Sequence, residues 1–334
     1  MNEIFFSIII PTHNRQETLS QCLDAIARQK FPAEQFEVIV VNDGSNDGTA
    51  DYLKSAQFHF RLLHRTIDNS GPAHARNIGA ELASGKFLFF FEDDIIPHDQ
   101  ALFNAHRHLM MYDFDVLEGK TIYQGSNDNV RRFDKPEFLS FIPCNLIIRK
   151  ETFQFIGGYD TAFYDTASGL YFREDAELGF RLLDLKCRIQ KANDVIVEHP
   201  RQFPSMAACF RHARRYMFDP LLYKKHKKRF REHIEVKKIS VFIISRPQHY
   251  AALCAFFAFV TFGIGAVGNS RLSVVVSSIV LLLIGALYKY KYQGRNGFTV
   301  RALGDGVGFV FLPFVYLYSL VVGCFRYKSF GVLW

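Results

Sequence analysis

The sequence contains no pair of cysteines at the spacing typical of a zinc site or a disulfide framework. Its six cysteines are scattered along 334 residues without a C-x-x-C motif. We therefore expect reduced thiols in a cytoplasmic setting. A secretory signal is not indicated either, because the apolar stretch 4–10 is short, follows no basic residue and stops at Pro11. We interpret this stretch as a first β-strand.

Strands and helices alternate along the first part of the chain. Buried strands are predicted at residues 5–10, 36–41, 58–63 and 87–91. Helices are predicted from Asn14, whose side chain could cap the free amides, and at residues 49–56 and 72–79. This order predicts an α/β fold with a mostly parallel sheet. In such a sheet, ligands bind beyond the carboxyl ends of the strands.

Acidic residues follow the strand predicted at 87–91, where the chain continues with Glu92, Asp93 and Asp94. Carboxylates at the end of a buried strand repel each other and lose solvation unless a cation lies among them. A hard divalent cation that carries a phosphate suits such oxygen ligands. The alternative for residues 92–94 is a charged loop without a ligand. The polar segment NDGSNDG, which follows the second strand, could likewise be only a favourable turn.

Several motifs together resemble one enzyme family. They read FSIIIPTHNR, EVIVVNDGSNDGT, GPAHARNIGAELASGKFLFFFEDDIIP, and GGYD followed by REDAELGFRL. In this order and spacing, over roughly residues 4–200, they resemble family-two glycosyltransferases of the GT-A fold, among them membrane-anchored bacterial sugar transferases. The resemblance implies a nucleotide-sugar donor, a divalent metal (Mg or Mn) and transfer with inversion at the anomeric carbon.

The resemblance also assigns a nucleotide site. Pro11 and Thr12 would line the pocket for base and ribose, and Asp43 would accept a hydrogen bond from the base. Arg76 of the ARN motif would face the nucleotide, because a fixed guanidinium suits phosphate or base oxygens. Asp93 would hold the ribose.

The implied metal ligands are Asp94, which would bind the metal that bridges the diphosphate, and His199, at the end of a strand predicted at 195–197. The family commonly has Asp-x-Asp where this chain has Glu92-Asp93-Asp94, so the resemblance leaves the role of Glu92 open. A lone histidine at the position of His199 is also common as a structural residue.

The acid pair Glu174-Asp175 opens a predicted helix with a buried stripe at Leu178, Leu182 and Leu185. First-turn acids also stabilise a helix amino terminus without any catalytic role. In the family, the second acid of this pair is the general base, which implies Asp175 as the group that takes the acceptor proton. The Gln-x-x-Arg-Trp block of processive members is missing, and the one tryptophan is Trp334, which favours addition of a single sugar.

Two uncharged apolar runs, 250–267 and 272–288, are each long enough to span a membrane. A third run, 307–325, contains Pro313 and could cross or lie at the interface. Eleven Lys or Arg against three acids lie at 211–238, which favours anionic lipid over nucleic acid as the partner. With the basic residues Lys289, Lys291, Arg295 and Arg301, this block places the catalytic domain in the cytoplasm. A helical hairpin inside a soluble core is the alternative.

These observations predict three regions. Residues 1–205 form a GT-A catalytic domain, 206–240 a basic amphipathic juxtamembrane segment, and 241–334 a membrane region with two or three hydrophobic helices. The predicted function is inverting transfer of one sugar from a nucleotide-diphosphate sugar to a lipid-linked saccharide or glycolipid, at the cytoplasmic face of the inner membrane. The alternatives are a non-catalytic membrane scaffold of the same fold and a nucleotidyltransferase, and PTHNRQET lacks the glycine-rich loop that would favour the latter.

Overall fold

A computed structural model describes residues 3–123, 141–200, 205–239, 242–245, 247–293 and 308–333. The chain divides into two units, Met1–Arg201 and Gln202–Trp334. The predicted division at 205/206 and 240/241 stays a prediction. Arg295, Arg301 and Val307, which the sequence placed at the second and third apolar runs, lie outside the described residues.

The strands of the first unit form one large sheet and a small ribbon. The large sheet consists of β1 (Phe6–Thr12), β2 (Phe36–Asp43), β3 (Arg61–Ile67), β4 (Phe87–Phe90), β5 (Ile96–Pro97), β6 (Val116–Tyr123), β7 (Leu146–Arg149) and β10 (Ile189–His199). The ribbon pairs β8 (Tyr164–Asp165) with β9 (Leu170–Tyr171). The order in the large sheet is β3-β2-β1-β4-β7-β6-β10-β5.

Most neighbouring strands in the large sheet run parallel, as predicted. The pairs β3–β2, β2–β1, β1–β4 and β6–β10 are parallel. The short β7 runs antiparallel to both β4 and β6, and β5 runs antiparallel to β10. The carboxyl ends of β1, β2 and β4 therefore meet at one edge, where the acidic residues follow β4.

Helices of the first unit cover the sheet. They are α1 (Gln16–Ala27), α2 (Thr49–Ser55), α3 (Pro72–Leu82), α4 (Ala101–Met111), α5 (Lys150–Phe155) and α6 (Glu174–Asp184). Successive residues of a strand point to opposite faces, so Ile8 and Phe89 join one buried cluster while Ile9 and Phe90 join the other. Burial on both faces explains the unbroken apolar runs.

Three local predictions were wrong. Helix α1 begins at Gln16 and not at Asn14, because Asn14 adopts φ 53° and its side chain accepts the amide of Asn46 at 2.7 Å. Strand β3 begins later than predicted, because Phe58 and Phe60 stack on each other at 4.8 Å before the strand starts. Leu185 lies beyond the end of α6 and is 49% exposed.

The second unit is mainly helical. It contains α7 (Met206–Arg214), α8 (Asp219–Lys225), α9 (Lys227–Phe230), the β11–β12 ribbon (Val236–Ile239 and Phe242–Ser245), α10 (Pro247–Val267), α11 (Arg271–Gln293) and α12 (Leu312–Tyr327). Two segments, His249–Val267 and Arg271–Lys289, are long and apolar enough to cross a membrane by length and composition. Helix α12 is apolar but shorter.

Helices α10 and α11 form a hairpin joined by small and polar residues. The hydroxyls of Thr261 and Ser277 lie 2.7 Å apart, and Ser273 donates to the carbonyl of Thr261 at 2.9 Å. Gly265 makes the close approach possible, since a Cβ there would lie 2.8 Å from the Cβ of Ser273. Small residues and interhelical hydrogen bonds are typical of helices that pack without a hydrophobic driving force.

Candidate active site

The loops after β1 and β2 are tied together at the carboxyl edge of the sheet. The amide of Asn14 donates to the hydroxyl of Ser45 at 2.9 Å, and the amide of Gln16 donates to Asp47 at 3.0 Å. The hydrogen bond from Asn46 to Asn14 completes the link. The turn-forming segment NDGSNDG thus holds the start of α1 in place, in addition to reversing the chain.

Asp93 and Asp94 are buried and share one arginine. Thr12 donates its hydroxyl to Asp93 at 2.7 Å. Nη1 of Arg15 lies 3.1 Å from Asp93 Oδ1 and 2.8 Å from Asp94 Oδ2. The sequence analysis missed Arg15, although a basic residue shortly after the strand predicted at 5–10 was an available signal. The two predicted residues Thr12 and Asp93 are brought together directly.

Burial and charge act against each other on these groups. Burial is the largest influence on the pKa of Asp93 and raises it to about 6, while the charge of Arg15 and the hydrogen bond from Thr12 act to lower it. Burial would lower the pKa of Arg15, but Asp93 and Asp94 together raise it. A positive charge at this edge therefore stabilises the ionised form of Asp93 against the effect of burial.

Glu92, Asp94 and His199 form a group that could hold a metal ion. One ligand atom of each residue lies within 4.8 Å of the others. Nε2 of His199 is 3.4 Å from Glu92 Oε2 and 3.4 Å from Asp94 Oδ1. Two carboxylates with one imidazole suit a divalent ion such as Mn²⁺. The geometry thus gives Glu92, whose role the sequence left open, a place beside the two predicted ligands.

The ionisation of this group is coupled. Burial would raise the pKa of Glu92, but the hydrogen bond from His199 and the charge of Arg76 lower it. Burial would lower the pKa of His199, and its contacts with Glu92 and Asp94 raise it instead. The two carboxylates thus favour the protonated form of His199.

Arg76 is buried beside the acid pair of α6. Its Nη1 lies 3.7 Å from Oε1 of Glu174, and its guanidinium lies over the ring of Tyr159 at 5.3 Å. Nε and Nη1 of Arg76 are buried and have no hydrogen-bond partner within the described part of the chain. Buried donors without partners are costly, so these two nitrogens point to a ligand that accepts hydrogen bonds.

The motifs ARN and GGYD are linked through Asn77. Its side-chain amide donates to the carbonyl of Tyr159 at 2.8 Å and accepts the amide of Tyr159 at 2.8 Å. Arg181 of α6 pairs with Glu177 and donates to the carbonyl of Gly158 at 2.6 Å. Helices α3 and α6 are therefore fixed to one turn.

The carboxylates of Asp43 and Asp175 accept hydrogen bonds from backbone amides. Asp43 accepts the amides of Ser70 at 2.7 Å and Gly71 at 2.9 Å, so it anchors the segment that enters α3. Asp175 lies next to Glu174 in the first turn of α6 and accepts the amide of Ala176 at 2.7 Å. Pro11 lies in β1 opposite Val41 of β2. The structure shows where these side chains lie, but the roles implied for all the predicted site residues stay predictions: Pro11, Thr12, Asp43, Arg76, Asp93, Asp94, Asp175 and His199.

The sequence profile of glycosyl transferase family 2 matches residues 7–179, more than half of the chain. The chain belongs to this family. Among the relatives, the glycosyltransferase AglE of Haloferax volcanii is 27% identical over 210 residues, which cover 59% of this chain and 67% of AglE. A poly(ribitol-phosphate) beta-glucosyltransferase of Bacillus spizizenii is 30% identical over 117 residues, which cover 34% of this chain and 18% of that protein.

Solved structures show the same fold. TarS 1–349 of S. aureus in complex with UDP aligns with a TM-score of 0.52 at 17% identity and covers 98% of this chain and 92% of its own. The mannosyltransferase PcManGT of Pyrobaculum calidifontis, in complex with GDP-Man and Mn²⁺, aligns with a TM-score of 0.58 at 18% identity. This alignment covers 96% of the present chain and 88% of PcManGT. The GT-A fold expected of a family-two enzyme is confirmed.

Proposed function

We propose that this family-two glycosyltransferase transfers a single sugar, with inversion, from a nucleotide-diphosphate sugar to a lipid-linked or membrane-associated glycan. The observation that carries the proposal is the group of Glu92, Asp94 and His199, with ligand atoms within 4.8 Å of one another beside Asp93. Of two structural neighbours, one is a complex with UDP and the other a complex with GDP-Man and Mn²⁺. A nucleotide-sugar donor and a divalent metal at this edge of the sheet are consistent with both.

The donor would lie along the carboxyl edge of the sheet. Glu92, Asp94 and His199 would hold Mg²⁺ or Mn²⁺, which stabilises the negative charge that develops on the leaving diphosphate. Nε and Nη1 of Arg76 would donate to donor oxygens, because these buried nitrogens have no other acceptor within the described residues. Asp93, held by Thr12, would bind the ribose hydroxyls, and Pro11 and Asp43 would complete the nucleoside pocket.

The acceptor would react on the side of α6. Its hydroxyl oxygen attacks the anomeric carbon, the bond from that carbon to the diphosphate oxygen breaks, and the hydroxyl proton passes to the carboxylate of Asp175. The hydrogen bond from the amide of Ala176 keeps that carboxylate oriented. Glu174 would remain paired with Arg76, so it supports the base without taking the proton.

Attachment to the cytoplasmic face of a membrane would bring enzyme and acceptor to one surface. Helices α10 and α11 have the length and composition of membrane spans. Exposed lysines of α8 and α9 would contact anionic lipid, with roughly 1 kcal/mol contributed by each. The alternative of a non-catalytic scaffold is favoured only by Glu92, which stands where the family commonly has aspartate. Glu92 lies with Asp94 and His199 in the group that could hold a metal ion, which supports an active enzyme.

Thermal unfolding of the full chain in detergent tests the donor site. With Mn²⁺ present, UDP or GDP at a hundredfold excess over its Kd should stabilise the protein by about 2.7 kcal/mol. Asp94→Asn should remove this stabilisation, whereas Asp51→Asn, which changes an exposed carboxylate paired with Lys54, should keep it. Equal protection with and without Mn²⁺ would show that the nucleotide binds without a metal and would refute the proposed site.

A further inference from the structure

The parallel pairing of β10 with β6 is interrupted by a bulge. Ala192 lies opposite Gly119, but the next paired residue of β10 is Ile196, opposite Lys120. Strand β10 thus carries three additional residues, 193–195, over a single step of β6. We call this segment the β10 bulge.

The β10 bulge decides which residue reaches the metal group. Beyond it, His199 lies opposite Tyr123, with the two rings 5.3 Å apart. If pairing continued without interruption from Ala192, Ile196 would take the place opposite Tyr123, and an aliphatic side chain cannot bind a metal. The additional residues therefore bring an imidazole to the end of the strand beside Glu92.

Helix α4 holds the β10 bulge from outside. The carboxylate of Asp194 contacts Nη2 of Arg107 and, at 2.7 Å, Nε2 of His108. The side-chain amide of Asn104 donates to the carbonyl of Asp194 at 2.7 Å. Asp194 of the bulge is thus held by three polar contacts from one helix, made by Asn104, Arg107 and His108.

Asn145 holds the β10 bulge from inside. Its amide nitrogen donates to the carbonyls of Lys120 at 3.1 Å and Val195 at 3.0 Å, so it bridges the two strands where their ladder opens. Gly119 leaves room for this side chain, because a Cβ there would lie 2.3 Å from the amide nitrogen. Bulges that re-aim a side chain next to an active site are common features of sheets.

We propose that Asp194 is a positioning residue for the metal site, because it fixes the β10 bulge on α4 and thereby sets the reach of His199. This inference rests on the proposed metal role of Glu92, Asp94 and His199. A surface ion pair that serves stability alone contributes about 0.2–1 kcal/mol and leaves metal affinity unchanged. Metal affinity therefore separates a positioning role from a structural one.

The test is a double-mutant cycle read by Mn²⁺ affinity, measured by titration calorimetry on the full chain in detergent. Asp194→Ala should weaken Mn²⁺ binding about tenfold, at the low end of the range for groups that support metal ligands indirectly. His199→Ala should weaken it as well. In the double variant, loss of Asp194 should add nothing, because residues that act through one another are not additive.

Asp113→Ala is the matched control. Asp113 is an exposed carboxylate with two arginine partners, Arg149 at 2.6 Å and Arg188 at 2.7 Å, and it lies outside the β10 bulge. This variant should bind Mn²⁺ as the unmodified chain does. Thermal unfolding of each variant checks that the fold is kept, and Asp194→Asn, which keeps the side-chain shape, provides a milder change if Asp194→Ala does not fold.

The outcomes distinguish the inference from the proposed metal site. Unchanged Mn²⁺ affinity in folded Asp194→Ala or Asp194→Asn would overturn the inference and leave the metal site standing. If Asp194→Ala lowered Mn²⁺ affinity by the same factor in the unmodified chain and in His199→Ala, the inference would also be overturned, since the effect would then not depend on His199. Unchanged affinity in His199→Ala would refute the proposed ligand role of His199, and the inference with it.

Discussion

The two units of this protein depart in different ways from the usual arrangement of apolar residues inside and charged residues outside. The first unit has an apolar core but also buries a few charged side chains, since Asp93, Asp94, Arg76 and Glu174 are each at most 6% exposed. In the second unit, fifteen large apolar side chains on the described parts of α10 and α11 are exposed, with Val267 at 88%. The first pattern suits a polar ligand, and the second suits apolar surroundings.

The contrast separates two physical problems. Buried charges cost free energy unless a partner compensates them, and in the first unit the partners are Arg15, His199 and Arg76. Exposed apolar surface costs free energy in water but none in lipid. A lipid environment for α10 and α11 is part of our proposal, and the predictions test the buried charges of the first unit and this proposed environment separately.

The largest expected effect is on catalysis in the first unit. Asp175→Asn should lower turnover by about 10²- to 10⁴-fold, because an amide cannot take the acceptor proton. The measurement is release of nucleoside diphosphate in the presence of membrane extract as acceptor. Glu151→Gln, which changes an exposed first-turn acid of α5, is the control and should retain full turnover. Retained turnover in Asp175→Asn would remove that residue as the base.

A smaller effect is expected from one arginine placed in each unit. Phe257, at the centre of α10, is 61% exposed, and Phe103 on α4 is 50% exposed. Arginine at position 257 should cost about 2.5–3.5 kcal/mol if the helix lies in lipid, whereas Phe103→Arg should be nearly neutral in water. The fraction of protein kept by membranes after alkaline washing measures the difference. Equal retention of both variants would contradict a membrane position for α10.

The smallest effect concerns the arginine between the two buried aspartates. Arg15→Ala should destabilise the metal-free protein by about 1–2 kcal/mol, because the buried carboxylates of Asp93 and Asp94 lose their cation. The loss stays this small because the Arg15 side chain is partly exposed to solvent, which weakens the ion pairs. Mn²⁺ should restore most of the loss in thermal unfolding, because a metal can replace the guanidinium charge. Arg28→Ala, which changes an exposed arginine just after the end of α1, should be insensitive to Mn²⁺. A loss in Arg15→Ala that Mn²⁺ does not change would show that Arg15 and metal do not share these carboxylates.

The parts of the fold that local pattern determines were predictable. The apolar runs of β1, β2 and β4 specify strands buried on both faces, and the strand-end rule placed Thr12 and Asp93 at one edge, where they are hydrogen bonded. Asp94 and His199, far apart in sequence, also meet as expected. These predictions depended on periodicity and on the geometry of parallel sheets.

The remaining features depend on tertiary contacts that no local pattern encodes. The reach of Arg15 follows from the left-handed backbone of Asn14, which is fixed by hydrogen bonds to the β2–α2 loop. The additional residues of the β10 bulge are recognisable only when β6 lies beside them. Glu92 departs from the family motif, and its place among the ligands depends on where His199 lies.

The link between Asn77 and Tyr159 has a consequence for how the sequence can change. Asn77 binds the main chain of residue 159, so that bond survives exchange of the aromatic ring but not exchange of the asparagine. The same asparagine limits position 158, where a Cβ would lie 2.6 Å from its side-chain oxygen. Segments 72–82 and 157–160 are therefore structurally coupled, and we expect that a chimaera between family members must exchange both together to keep this contact.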